Sequence, residues 1–308
     1  MAEATLNGAS DSQAKPARPA AGPVDLAFGS PFRSLFRLVG FVVLALIVAV
    51  VQRTLIAVGS RFAVTVPMLY HHACCRLIGM IVERRGTMTD ARPTLFVCNH
   101  CSYLDIAVLG SLIPGSFIAK SEIAGWPFFG WLAKLQRSVF IERRRNKAML
   151  HKDEMERRLE AGDHLILFPE GTSSDGTRTL PFRSALFSAA ERQIDGRPLT
   201  VQPVSIAYTR LDGMPMGRSF RPFYAWYGSM SLFAHLWRML GLGVATVEVI
   251  FHEPITMDRF GSRKEMADHC WRAVSEGMAA ALAGRPPRIA RATPQAPAAE
   301  TQAAAGTG

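Results

Sequence analysis

Thr94-Leu95-Phe96-Val97-Cys98-Asn99-His100-Cys101-Ser102-Tyr103-Leu104-Asp105 is the stretch on which the reading of this chain turns. Thr94 to Cys98 is a short apolar run bounded by a polar cluster, which predicts a strand, and a helix then begins near Ser102. On that reading His100 sits on the connecting turn and Asp105 faces back from the first helical turn. The two side chains then meet. A carboxylate that fixes the imidazole tautomer makes the ring a better acceptor for a hydroxyl proton. Other readings of the same residues stay open. His100 as a capping residue and Asp105 as a first-turn acid favoured by the helix dipole account for the spacing without catalysis. Cys98-Asn99-His100-Cys101 is also a C-x-x-C, but it lacks the matching pair that a zinc site needs, because the neighbours in His71-His72 and Cys74-Cys75 diverge.

Outward from this stretch, 308 residues at 49% hydrophobic allow one substantial core with accessory segments. The composition of Met1 to about Gly22, and of Gly284 to Gly308 beyond it, is Ala/Pro/Gly-rich and unable to order itself. The expected division is a disordered tail over 1–30, membrane-associated helices over 31–82, an α/β domain over 83–283 and a second tail over 284–308. Leu38 to Gln52 is an uncharged run bracketed by Arg37 and Arg53, continued by Thr54 to Ser60. A spanning helix needs ~20 apolar residues, so this segment spans only if Arg53 faces protein or reaches the headgroups. Phe62 to Met80, interrupted by Pro67 and His71-His72, reads as an interfacial helix beside it.

The formal charge is +10, with its densest block at Arg143-Arg144-Arg145-Asn146-Lys147. Such a block draws phosphates from lipid headgroups, nucleic acid or an acidic carrier protein. With no DNA- or RNA-binding pattern beside it, an apolar anchor argues for membrane lipids and against nucleic acid. Five cysteines do not describe a disulfide framework. A reduced catalytic part facing the cytoplasm from the inner membrane is expected.

From residue 94 onward, short apolar runs alternate with longer mixed segments: Thr94 to Cys98, Phe117 to Ala119, Ser138 to Ile141, His164 to Phe168, Leu199 to Tyr208 and Val244 to Phe251. Helices are expected over Arg145 to Glu160, Phe182 to Gln193 and Lys264 to Leu282. This alternation predicts an α/β fold, a mostly parallel sheet with flanking helices, preceded by an N-terminal membrane-docking helical segment. Open sheets place function at the carboxyl ends of their strands. Three such ends carry chemistry: Asn99 to Asp105, Glu142 to Arg145, and Pro169-Glu170-Gly171-Thr172. Glu170 offers a carboxylate to substrate hydroxyls or neighbouring amides, Gly171 a turn forbidden to most residues, and Arg143 a planar cation.

Together these motifs resemble the glycerolipid acyltransferase family, which includes the bacterial 1-acyl-glycerol-3-phosphate acyltransferases. Asn99-His100-x4-Asp105, Phe140-Ile141-Glu142-Arg143, Phe168-Pro169-Glu170-Gly171-Thr172 and Val201-Gln202-Pro203-Val204 are similar to its four blocks in order, over roughly residues 90 to 210. The resemblance implies transfer of a fatty acyl group from a thioester, on coenzyme A or acyl carrier protein, to the free hydroxyl of a lysolipid. It implies no bound cofactor and no metal. His100 would be the general base and Asp105 its orienting partner. Asn99, Arg143, Glu170, Gly171 and Thr172 would bind the acceptor, and Pro203 would shape the cleft. Backbone amides of the turn after Asn99 are a candidate oxyanion site.

One departure bears on the acceptor. Family members acting on lysophosphatidic acid often carry arginine directly after the third block, whereas this chain has Ser173-Ser174-Asp175-Gly176 and reaches Arg178 later. That form also resembles enzymes that complete ornithine lipids by acylating a hydroxy-fatty-acyl amide. Arg178 or Arg183 can substitute for the missing cation, so phosphatidate formation is the first expectation and ornithine-lipid formation the second. An esterase using Ser102 beside His100 and a basic membrane-surface scaffold are the competing classes. The chain lacks the G-x-S-x-G elbow of the first.

Overall fold

The computed structural model describes residues 29–141, 148–194 and 196–286. Arg143 with the rest of the basic block, and most of both expected tails, lie outside the described residues. In chain order the strands are β1 (Met80–Arg85), β2 (Thr94–Cys98), β3 (Gly115–Lys120), β4 (Val139–Ile141), β5 (His164–Leu167), β6 (Gln193–Ile194), β7 (Arg197–Pro198), β8 (Thr200–Leu211), β9 (Met214–Pro215) and β10 (Ala245–Phe251). One sheet runs β1-β10-β8-β2-β5-β3-β4, with β9 paired to β8, and β6 and β7 form a separate hairpin. Neighbours are parallel throughout β8, β2, β5, β3 and β4, while β10 runs antiparallel to β8. The mostly parallel α/β sheet expected from the alternation is present. Its central strands are continuous apolar runs because both faces are covered. Phe96 and Cys98 enter the core on one face, and Leu95 and Val97 enter the other.

The helices are α1 (Pro31–Ala57), α2 (Val66–Ile78), α3 (Leu104–Gly110), α4 (Phe129–Leu135), α5 (Ala148–Glu160), α6 (Leu232–Leu240) and α7 (Arg263–Leu282). Pro67 does not break α2 but starts it, since the first helical turn tolerates a missing N–H. Gly79, at φ 80°, then ends α2 in the left-handed region and delivers Met80 into register with Ala245. The expected limit of the membrane helices, between residues 82 and 83, therefore falls inside β1, a strand hidden in sequence behind the helix that feeds it. Phe182 to Gln193 is also not an α-helix. Arg183 N is tied back to Pro169 O at 3.0 Å, and the segment winds as a tighter 3-10 turn over Ser184–Glu191.

α1 has 27 residues and is long and apolar enough to cross a membrane. It nevertheless lies against the domain along one face. Ser34, Arg37, Ala45, Ala49 and Gln52 are buried, while Phe32, Phe36, Val43, Ile47 and Val50 stand exposed on the other side. Near its start the Arg37 guanidinium donates to Leu240 O at 3.0 Å and Leu242 O at 2.8 Å, carbonyls left open by the end of α6. Near its end Gln52 Nε2 donates to Ala63 O at 2.8 Å and Leu135 O at 3.1 Å. Arg53 is exposed. Between α1, α2, α3, α4 and α6 lies a cavity of about 270 Å³ whose wall holds no Asp, Glu, Lys or Arg among the described residues.

Candidate active site

β2 ends at Cys98 and the chain turns sharply before α3, so His100 and Asp105 are set on a turn and a helix that share one origin. His100 Nδ1 lies 2.9 Å from Asp105 Oδ2. Asp105 is fully buried, and the groups around it donate. Cys101 N and Ser102 N reach Oδ2 at 2.8 and 2.9 Å, and the Tyr208 hydroxyl reaches Oδ1 at 2.9 Å. A carboxylate surrounded in this way takes the imidazole N–H on Nδ1 and leaves Nε2 as the proton acceptor. The ring stacks on Phe168 at 4.1 Å, Phe168 stacks on Phe117, and about a fifth of the His100 side chain, 22%, is open. His100 also lines the apolar cavity, beside Tyr103, Leu104, Ala107, Phe117 and Trp226.

Glu170 is brought to the same turn from the end of β5. It is buried and orders amides rather than facing a substrate hydroxyl: His100 N donates to Oε1 at 2.9 Å and Leu180 N to Oε2 at 3.1 Å. Burial pushes its carboxyl up to about 8, the two backbone N–H groups pull against that rise, and the charge of Asp105 adds to it. Gly171, at φ 69°, supplies the left-handed turn that lets the chain reverse after Glu170, and Thr172 is exposed beyond it.

Several expected roles are corrected by this geometry. Asn99 is fully buried, and its amide is spent on β8, donating to Ile206 O at 2.9 Å and accepting from Ile206 N at 2.8 Å, so it fixes the turn and does not meet a substrate. Pro203 pairs in register with Val97 inside the sheet and is absent from the cavity wall. The amides of His100, Cys101 and Ser102 are committed to Glu170 and Asp105, so they are not the oxyanion donors. Ser102 is buried, with its hydroxyl accepting from Leu104 N at 3.3 Å, which is a capping arrangement and not that of a nucleophile. Cys98 and Cys101 are buried thiols pushed well above the ordinary range by desolvation first and by the Asp105 charge second, which leaves them unreactive. Tyr208 was missed. Its one signal in sequence is a polar-tipped aromatic toward the end of β8, on a strand remote in sequence from Asp105.

A histidine fixed by a buried carboxylate, opening on an apolar cavity beside a helix with an exposed apolar face, has the parts of an acyl-transfer site. Comparison with known proteins agrees. The family model described as Acyltransferase matches residues 71–207. The lyso-ornithine lipid O-acyltransferase of Brucella abortus is 45% identical over 223 residues, spanning 71% of this chain and 84% of that protein. A 1-acyl-sn-glycerol-3-phosphate acyltransferase of Neisseria gonorrhoeae is 36% identical over 159 residues, 51% of this chain and 58% of the relative. The fold matches the crystal structure of the 1-acyl-sn-glycerophosphate acyltransferase PlsC from Thermotoga maritima with TM-score 0.55 at 19% identity, over 80% of this chain and 97% of that one. The chain belongs to the acyltransferase family, and with the exposed apolar face of α1 it is a membrane-associated enzyme of lipid biosynthesis.

Proposed function

We propose that the protein transfers a fatty acyl group from acyl-CoA or acyl-ACP to the hydroxyl of lyso-ornithine lipid, with His100 as general base. The observation that carries the chemistry is the His100–Asp105 pair at the mouth of the apolar cavity. The acyl chain of the thioester lies in that cavity and presents its carbonyl at His100. Nε2 takes the proton of the acceptor hydroxyl as its oxygen attacks the carbonyl carbon. The tetrahedral intermediate then collapses, the C–S bond breaks, and the imidazolium returns the proton to the departing thiolate. The thioester is already activated, so orientation and base catalysis suffice without an acyl-enzyme.

The acceptor expected first from sequence, 1-acyl-glycerol-3-phosphate, gives way to the second. Likeness to the Brucella lyso-ornithine enzyme is higher and covers far more of the relative than likeness to the Neisseria glycerophosphate enzyme, and the Ser173-Ser174-Asp175-Gly176 segment points the same way. An inner-membrane position with the catalytic side in the cytoplasm is supported by the five free cysteines and by the location of soluble acyl thioesters. Purified protein offered labelled acyl-ACP and acyl-CoA, with lyso-ornithine lipid and lysophosphatidic acid in competition, tests donor and acceptor together. Ornithine lipid as the main product is expected; phosphatidate as the main product overturns the acceptor assignment.

A further inference from the structure

The cavity accounts for an acyl chain but offers no charge to a headgroup. His100 stands at its edge, and beside His100 three loops are tied together. Ser174 N donates to His100 O at 2.8 Å, Trp226 N donates to Cys101 O at 2.7 Å, and the Ser173 hydroxyl donates to Trp226 O at 2.5 Å. Gly176, at φ 73°, fills the junction: a Cβ there would lie 3.4 Å from Ala225 Cβ, 3.8 Å from Arg221 Cβ and 3.9 Å from Cys101 Cβ. Arg221 is thus held near the His100 turn, on the chain segment that Trp226 N ties to Cys101 O.

The charges gathered there are uneven, with Arg178 near Asp175, and Arg218 and Asp175 both near Arg221. Burial and the neighbouring charge of Arg218 push the Arg221 guanidinium down, and Asp175 pulls it back. Arg221 Nε is buried and has no hydrogen-bond partner among the described residues, while the rest of the side chain is only half-buried. Burial alone would raise the Asp175 carboxyl, but hydrogen bonds from Thr177 Oγ1 at 2.6 Å and Thr177 N at 3.0 Å, with the charge of Arg178, hold it low and ionised. A half-buried cation beside an ionised carboxylate suits a zwitterion. The acyl-amide of an amino acid with a basic side chain carries both a carboxylate and an ammonium. A phosphate monoester would meet the arginines equally well but would be repelled by Asp175.

We propose that Arg221 and Asp175 form the headgroup site for a zwitterionic acceptor, the guanidinium binding its carboxylate and the carboxylate binding its ammonium. This rests on the acceptor reading above. The test uses the full-length protein in detergent micelles with a thioester donor and two acceptors, lyso-ornithine lipid and its carboxyl methyl ester. Wild type should show a KM for the ester about tenfold or more above that for the free acid, the scale of a charge-assisted contact. Arg221→Gln should raise the KM for the free acid to that of the ester, with the donor KM and the unfolding midpoint unchanged. Arg221→Lys should keep part of the discrimination, and it carries the test if the Gln variant does not fold. Asp175→Asn should raise the KM for lyso-ornithine lipid without raising that for lysophosphatidic acid. If wild type acylates lyso-ornithine lipid and the Arg221 variants discriminate acid from ester as wild type does, the site is wrong and the acceptor reading stands. If wild type does not acylate lyso-ornithine lipid, the acceptor reading falls and the zwitterion site with it.

Discussion

Replacing Asp105 by Asn removes one charge and almost none of the shape, and the surroundings dictate how the new amide must sit. Oδ2 faces three fixed donors, His100 Nδ1, Cys101 N and Ser102 N, whereas Oδ1 faces the Tyr208 hydroxyl and the Cys101 thiol, which can rotate to accept. The Asn oxygen therefore occupies the Oδ2 position and its NH2 points to Tyr208. In that orientation His100 keeps its N–H on Nδ1 and Nε2 stays free to accept. What disappears is the attraction between the carboxylate and the imidazolium formed in the transition state. With the contact at 2.9 Å and charge centres ~4 Å apart, an effective dielectric of ~20 gives about 4 kcal/mol, or about a thousandfold in kcat. Thiol release from the thioester, followed in detergent with saturating acceptor, should show that loss with both KM values within about twofold of wild type. His100→Ala should fall further, to the background rate. Tyr208→Phe alone should cost a few-fold. Combined with Asp105→Asn it strands the amide NH2 and turns the group round, so the double variant should fall below the product of the single effects. An Asp105→Asn enzyme within about tenfold of wild type would refute the electrostatic account, and strict additivity with Tyr208→Phe would refute the orientation argument.

Glu170→Gln leaves one of the two donors, His100 N or Leu180 N, facing an amide NH2, and should cost about 1–3 kcal/mol in denaturant unfolding. The same experiment run against pH carries a sign. A carboxyl raised from 4.5 to about 8 binds its proton more tightly when folded, so its contribution to wild-type stability is fully present below about 4.5 and is lost as pH rises through about 8. Glu170→Gln should lack that component, and an unchanged slope would show that Glu170 does not titrate there. Ala49→Phe, at a buried position on the cavity wall one turn before Gln52, should lower kcat/KM for long acyl donors about tenfold or more while sparing short ones, read from product masses in a mixed-donor reaction. Equal loss with all chain lengths would place the acyl chain elsewhere. Arg37→Leu withdraws the donors to Leu240 O and Leu242 O at the end of α6 and should loosen α1, seen as faster limited proteolysis at the start of the chain, with Arg37→Lys partly restoring protection.

The parts of this architecture legible in sequence are those whose cause is local. β2 and β5 show as short apolar runs because a parallel strand covered on both faces has few polar positions to alternate. The carboxylate–histidine spacing shows because one turn and the first helical turn after it build the pair. β1 does not show: its alternation starts directly after a left-handed glycine and merges with the apolar stretch of α2. Asn99 was misassigned for a related reason. An asparagine next to a candidate catalytic histidine invites a binding role, and only the folded sheet reveals that β8 takes both halves of its amide. Tyr208 and the cavity lie beyond local patterning altogether. The first reaches Asp105 from a remote strand, and the second is enclosed by five helices, none of which forms a pocket by itself.

Water is the competitor for any base that deprotonates a hydroxyl beside a thioester, and the placement of His100 bears on how transfer prevails. One face of the ring is covered by Phe168, Nδ1 is closed by Asp105, and the adjoining cavity wall is apolar, so proton transfer is confined to the Nε2 edge. A water molecule arriving there is held at one point at most, even where the wall offers a polar atom such as Gln52 Oε1 or the Tyr70 hydroxyl. An acceptor lipid brings its own apolar chain to the membrane face beside α1 and its headgroup to the arginine-bearing loops, and this double attachment supplies the orientation that a lone water lacks. Selectivity for transfer over hydrolysis thus follows from where the two ends of the acceptor are held, with a base that is chemically indifferent to which hydroxyl it meets. On the headgroup site proposed above, the acceptor is chosen by the loops around Asp175 and Arg221 and not by the His100–Asp105 pair itself.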